Sequence, residues 1–336
     1  MTRLILAEAR RWRARRGVWV SAGIGVLLAL LIGLGLMMGT RPPSGQDIEM
    51  GRQAYADIKA DWDAHHAERL ASCLQEPGMD DAKCQQMDPE PKESDFIPLP
   101  LTFAGVLQAA SGMGAYLGAF LALVAAATFW GAEYRHGSLA TWLTFAPDRL
   151  RVWGAKFCVL VVGGVLLTLV VEGVLIGMGA ASILAWQGSS GFAAMGAAGQ
   201  GSISVAEGWA MAGRGLGLGA FGAVFGGALA VLFRQTIAPI LIPVGYLLFA
   251  GVFGLLVFAQ PNLANIALLL PENNLAAYLN GGTTIYVPVQ TVTPQGLQTE
   301  SSEQLIPFGQ GLAYMLVAAA VLLVVSAWSF RRRDVA

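Results

Sequence analysis

The sequence predicts an all-α polytopic membrane protein. It has six transmembrane helices, an N-terminal interfacial helix, cytosolic N and C termini, and a helical extracellular loop between spans 1 and 2. Three observations carry this. Apolar residues make up 55% of the chain and charged residues 13%, against about 25% charged in soluble domains. Six apolar stretches, 17–39, 103–131, 152–186, 208–233, 237–259 and 309–330, reach the ~20 residues that cross a hydrocarbon core. Arginines gather in every second connection between them.

Each span is expected to be helical, because an open strand in lipid would strand its backbone polar groups. Trp19, Trp130, Trp153, Trp186, Trp209 and Trp328 fall near the ends of spans, where amphipathic rings settle at the interface. Charge sets the orientation. Residues 1–16 hold Arg3, Arg10, Arg11, Arg13, Arg15 and Arg16 against Glu8 alone. The 132–151 loop adds Arg135, Arg149 and Arg151, the 234–236 turn adds Arg234, and the 331–336 tail adds three more arginines. With six spans all four segments share one side, the cytosolic one. The opposite connection 41–100 holds 13 acids and 6 bases. The net charge of −1 hides this asymmetry.

Residues 1–16 read as a helix lying in the interface, with Leu4, Ile5, Ala9 and Trp12 on one sector. They do not read as a cleavable signal peptide. The first span is too long for an h-region, and no small-residue cleavage pattern closes it. The 40–102 loop reads as helical over 47–74 and irregular up to its proline run. Its Cys73 and Cys84 lie in an oxidising compartment under this orientation. A bond between them would close a short loop and contribute roughly 2–4 kcal/mol. A metal site at His65, His66 and Cys73 is disfavoured, since adjacent histidines on a helix point apart. Cys158, within span 3, reads as a small core residue. The 187–207 loop is Gly/Ala/Ser-rich. Segment 260–308 reads as a re-entrant or lid element, with short helices broken at Pro271 and then a β-branched alternation suited to a hairpin.

Glycines concentrate inside the spans. Gly173/Gly177, Gly215/Gly219 and Gly222/Gly226 have the spacing that lets helices approach closely. Gly217, Gly219 and Gly222 match a dinucleotide fingerprint by letter only, because no strand precedes them. There is no Walker A sequence, HExxH or G-x-S-x-G. Nucleotide hydrolysis and hydrolytic chemistry therefore have no motif to rest on, and no catalytic, cofactor or metal residue is assigned. Glu172 and Arg214 are charges within spans, which usually face a cavity or a partner. Two readings stay open: they pair beside a cavity, or Arg214 snorkels to the outer surface.

The richest stretch is 130–157, a charged hairpin between two apolar spans. Glu133 ends one span and Lys156 begins the next. Ser138 suits a helix cap, and Leu139, Trp142, Leu143 and Ala146 then form one apolar stripe. Pro147 stops that helix, and Asp148 can cap the following span. The stripe fits lipid, neighbouring helices or a groove in a cytosolic partner.

In order, Glu133, Arg135, Gly137-Ser138-Leu139, Pro147-x-Arg149 and Lys156 resemble the hallmark of type-2 ATP-binding-cassette (ABC) permeases, whose fold is that of type V exporters. The end Trp328-Ser-Phe330-Arg-Arg-Arg-Asp and Arg234 after span 4 resemble the family pattern too. The long 41–100 and 260–308 segments depart from it. The resemblance implies a permease subunit that moves a drug, lipid or peptide out of a bacterial cell, without an ATPase site of its own. ATP and Mg would be bound by a cytosolic ABC ATPase present in two copies. A second permease chain would complete the pathway in the plasma membrane. Residues 134–147 would be the coupling helix. The 1–16 helix, with Arg10, Arg11, Trp12 and Arg13, would be the connecting helix, ion-paired to Glu133. Met113, Tyr116, Phe120, Tyr246, Phe249 and Phe253 would be pathway candidates, and ordinary packing serves them equally. The alternative is a membrane scaffold or sensor, with a ligand-binding outer loop and a signalling partner inside. No nucleic-acid partner is implied.

Overall fold

The computed structural model describes residues 1–76, 79–135, 137–138, 144, 148–193, 203–259, 264–293 and 296–332. For 193, 253–259, 264–265, 289–293 and 296–301 it describes the backbone alone. In order, the long helices are α1 (Thr2–Ala14), α2 (Arg16–Gly39), α3 (Gly45–Cys73), α4 (Asp81–Met87), α5 (Phe103–Arg135), α6 (Arg149–Gln187), α7 (Val205–Phe233), α8 (Ile237–Ala259), α9 (Pro271–Asn280) and α10 (Phe308–Arg332). One antiparallel ribbon, β1 (Gly282–Thr293) with β2 (Gly296–Pro307), precedes α10 and pairs Gly282 with Pro307 through to Thr293 with Gly296. Among the described residues the remaining regular structure is helical.

Among the described residues five helices, α2, α5, α6, α7 and α10, are long and apolar enough to cross a membrane. Their lengths and composition are those of a multi-pass membrane protein. Over Ile237–Val252, α8 is apolar but shorter.

Local chemistry sets the boundaries. Arg15 is extended at ψ 125 and separates α1 from α2. Ser44 and Asp47 form a reciprocal capping box at α3. Asp80, Asp148 and Ser204 each accept a backbone N–H at the start of α4, α6 and α7. Gly137 ends the α5 region with φ 63, a left-handed conformation that glycine adopts without a Cβ penalty. Pro271 opens α9 at its first turn, and Gly281 closes it at φ 81.

The core is α5 held against α6 and α7 by glycine. A Cβ at Gly222 or Gly226 would run into the backbone carbonyls of Ala119 and Leu123. One at Gly164 would stand 2.6 Å from Gly219 O. Gly215/Gly219 and Gly222/Gly226 are thus packed as expected, but Gly173/Gly177 are not. A Cβ at either would meet nothing within 4 Å. Small-residue spacing marks a permissive face and does not say which face is used.

Two other expectations are corrected. Cys158 is exposed, not in the core. It shares the outward face of α6 with Val162, Leu166 and Leu169. Trp130 is 0% exposed and packs on Phe157 and Phe330. It is part of the core, while Trp19, Trp186, Trp209 and Trp328 stay exposed.

The 41–100 segment folds on itself. Cys73 and Cys84 are joined by a disulfide, with Cα atoms 5.9 Å apart. His66 Nδ1 lies 2.8 Å and Arg69 Nε 3.1 Å from Asp88 Oδ2, and Lys59 reaches Asp63 and Glu90. The stretch after α3 is therefore partly helical and pinned back on α3, rather than irregular throughout.

Candidate functional site

Where α1 meets the end of α5 and the start of α6, five charged side chains form one network around a buried centre. Lys156 of α6 is 0% exposed. Its Nζ donates to Glu8 Oε2 at 2.8 Å and to Glu133 Oε1 at 2.9 Å. Glu133 Oε2 is 2.8 Å from the same Nζ but outside hydrogen-bond geometry. Arg11 bridges the two acids, at 3.1 Å from Glu8 Oε1 and 3.2 Å from Glu133 Oε1. Arg15 reaches Glu133 Oε1 at 3.3 Å and the carbonyl of Thr128 at 3.4 Å. Two carboxylates thus face three cations, with Glu8, Glu133 and Lys156 fully buried and Arg11 and Arg15 partly exposed at the edge.

Aromatic rings line the site. Lys156 Nζ lies 4.6 Å from the Phe129 ring centroid and 5.2 Å from that of Trp130. Arg15 lies 5.0 Å from the Phe129 centroid. A desolvated cation over a ring gains about 2 kcal/mol, and the ring faces stand in for a third acceptor of the ammonium. Burial lowers the Arg15 pKa, and Glu133 opposes that shift.

Packing fixes the register of α1. Glu8, Arg11 and Trp12 recur at i, i+3 and i+4 on one face of α1, and Arg15 follows just past its end. Trp12 lies in a notch at Gly163, where a Cβ would stand 2.7 Å from the ring. It meets Phe129 edge-on at 5.2 Å. Gly131 is likewise closed by Thr236 in the α7–α8 turn.

The residues picked from sequence divide accordingly. Glu133, Lys156, Arg11 and Trp12 come together. Arg10, Arg13, Arg135 and Gly137 are exposed, and Arg149 and Ser138 are partly so. Leu139, Trp142, Leu143, Pro147 and His136 lie outside the described residues, as does the tail from Arg333. Glu8 and Arg15 complete the site without having been singled out. Glu8 is the lone acid among six arginines in 1–16, and that was the available signal.

Of the two open readings for Glu172 and Arg214, the direct pair does not form. Arg214 ion-pairs with Glu207 on its own helix and donates to Leu279 O at 2.7 Å. It therefore caps the C-terminal end of α9, where a cation is favoured. Glu172 Oε1 is buried with no partner. Met113, Tyr116 and Phe120 form an exposed stripe on α5, and Phe249 is exposed on α8. Tyr246 donates to Glu272 in the first turn of α9, which makes it an anchor for that helix. The Phe253 side chain lies outside the described residues. Among the described residues, no group of three or more His, Cys, Asp or Glu is placed to hold a metal. No family model, curated protein or solved structure matches the chain.

Proposed function

We propose that this chain is the membrane-spanning subunit of an ABC exporter, driven by ATP hydrolysed on a separate cytosolic subunit. In this reading α8 is the fifth of six spans. The basic end faces the cytosol of a bacterium, and two permease chains enclose the pathway. The cargo is amphipathic or hydrophobic, since the exposed side chains of α5 and α8 are apolar and aromatic. ATP and Mg belong to the partner.

One observation carries the reading. The network ties α1 to the last turn of α5 through Glu133 and to the first turns of α6 through Lys156. These are the two helices that flank 136–147. A push on that hairpin would reach α1, α5 and α6 as one body, because moving α5 or α6 alone would strand Glu133 or Lys156, and moving α1 alone would strip Lys156 of Glu8 and Glu133 of Arg11 and Arg15. A lipid anchor has no use for that rigidity.

The test is purification of the tagged chain from its native membrane. A stoichiometric nucleotide-binding partner is expected, and it should be lost on Trp142→Arg or Leu143→Arg. No such partner would end the exporter reading, and its retention in both variants would move docking away from the hairpin. The folded, disulfide-stapled 41–100 segment supports the second reading, a scaffold or sensor. Recovery of a kinase without an ATPase would favour that one.

A further inference from the structure

Two polar side chains of α6 are inserted into glycine notches on both neighbouring helices. Thr168 lies between Gly118 of α5 and Gly219 of α7, and a Cβ at Gly118 would stand 2.6 Å from Thr168 Oγ1. One turn on, Glu172 lies between Gly114 of α5 and Gly215 of α7. A Cβ at Gly114 would stand 2.8 Å from Glu172 Cγ, and one at Gly215 would collide with Oε1. The two rungs differ in one respect. The Thr168 hydroxyl donates to Gly164 O at 3.0 Å. Glu172 is 2% exposed, and its Oε1 has no partner. Ser111, one turn from Gly114 on the same face of α5, is also fully buried with an unpartnered hydroxyl.

Among the described residues, no charged side chain answers Glu172. On α5 the charges are Glu133 and Arg135 at the far end, and on α2 the only one is Arg16. On α7, Glu207 and Arg214 pair with each other. On α6 itself, Lys156 is held by Glu8 and Glu133, and Arg149 and Arg151 lie at the helix start. A carboxylate buried among apolar groups without a counter-charge neutralises rather than stay ionised. A hard metal cation needs about six oxygen ligands, and Glu172 and Ser111 supply two side chains. A proton needs only one oxygen.

We propose that Glu172 is a proton-binding site in the membrane core, with the Ser111 hydroxyl on the proton's route to it. Binding forms one O–H bond on the carboxylate and cancels its negative charge. Release returns the proton to water, when α6 shifts against the notches at Gly114 and Gly215 and admits it. The site would make movement of α6 sensitive to the proton gradient.

Infrared spectroscopy of the full chain in lipid vesicles at about pH 7 tests this, since ordinary carboxyls are ionised there. The wild type is expected to show the C=O stretch of a protonated acid, shifted in D2O and absent from Glu172→Gln. No such band, or one that persists in Glu172→Gln, overturns the site. Should Glu172→Gln fail to assemble, Glu172→Asp keeps the acid and should displace the band, and an unmoved band overturns the proposal equally. Ser111→Ala should slow the D2O shift several-fold. An unchanged rate would remove Ser111 from the route.

Discussion

Lys156 holds a full charge at a point sealed from water, and two opposing terms decide what that is worth. Desolvation costs several kcal/mol per ion. Against it stand two carboxylates within 2.9 Å and two aromatic faces. The balance is close for the network as a whole and one-sided for any single deletion. Lys156→Met should therefore destabilise the protein by about 3–5 kcal/mol, because Glu8 and Glu133 would lose the one fully buried cation between them and keep only the partly exposed Arg11 and Arg15. Glu8→Gln added to it should restore part of the loss. Chemical unfolding in detergent micelles reads both. A Lys156→Met variant as stable as wild type would mean that Arg11 and Arg15 satisfy the acids alone. Glu133 and Lys156 were legible in the sequence because charges beside apolar runs stand out. Glu8 was not, since its burial depends on Trp12 finding the notch at Gly163 on another helix. Nor was the fate of Arg214, whose partners are a near neighbour and a carbonyl 65 residues away in the chain.

Among the elements, the helix contacts separate glycines that are needed from glycines that are merely present. Gly222→Ala should cost about 1–3 kcal/mol by overpacking against the Ala119 carbonyl. Gly173→Ala meets nothing, and should be neutral or stabilise by up to about 1 kcal/mol through helix propensity. Thermal unfolding of the two variants side by side distinguishes them, and equal losses would contradict the packing described. The segment after α3 gives a second expectation at this scale. The hydrogen bond from His66, then that from Arg69, hold the Asp88 carboxyl below its ordinary value. A depressed carboxylate contributes fully above its unfolded pKa of about 3.9 and loses that contribution as pH falls through the lower folded value. Hydrogen exchange over 81–95 should therefore rise only under acid conditions, below about pH 4, and Asp88→Asn should show the raised exchange already at neutral pH. Exchange that climbs between neutral pH and mild acid would point to a different clamp. Five of the six expected spans were readable from composition, and the ribbon was one of the two forms, hairpin or extended lid, that the β-branched alternation allowed. The side each helix turns inward was not, because a hydrophobic run in lipid is apolar all round. Cys158 and Trp130 were misplaced for that reason.

For the whole molecule, the distribution of exposed apolar surface separates lipid contact from a second chain. α5 packs against α2, α6 and α7, yet Met113, Tyr116 and Phe120 remain exposed at i, i+3 and i+7. They form one stripe on a helix otherwise committed to packing. α6 instead shows Val162, Leu166 and Leu169, plain aliphatic side chains suited to acyl chains. If two copies enclose a pathway as proposed, the α5 stripe faces the partner copy and the α6 face does not. Among the described residues Cys158 is the one free cysteine, so Cys158→Ser gives a background without an accessible thiol. In it, Tyr116→Cys should yield cross-linked dimers on oxidation in native membranes, whereas Leu169→Cys should not. Gel mobility without reductant reads the result. Cross-linking at Leu169 but not at Tyr116 would put the contact between copies on α6, beside the open Gly173 and Gly177 face, and would remove α5 from the pathway.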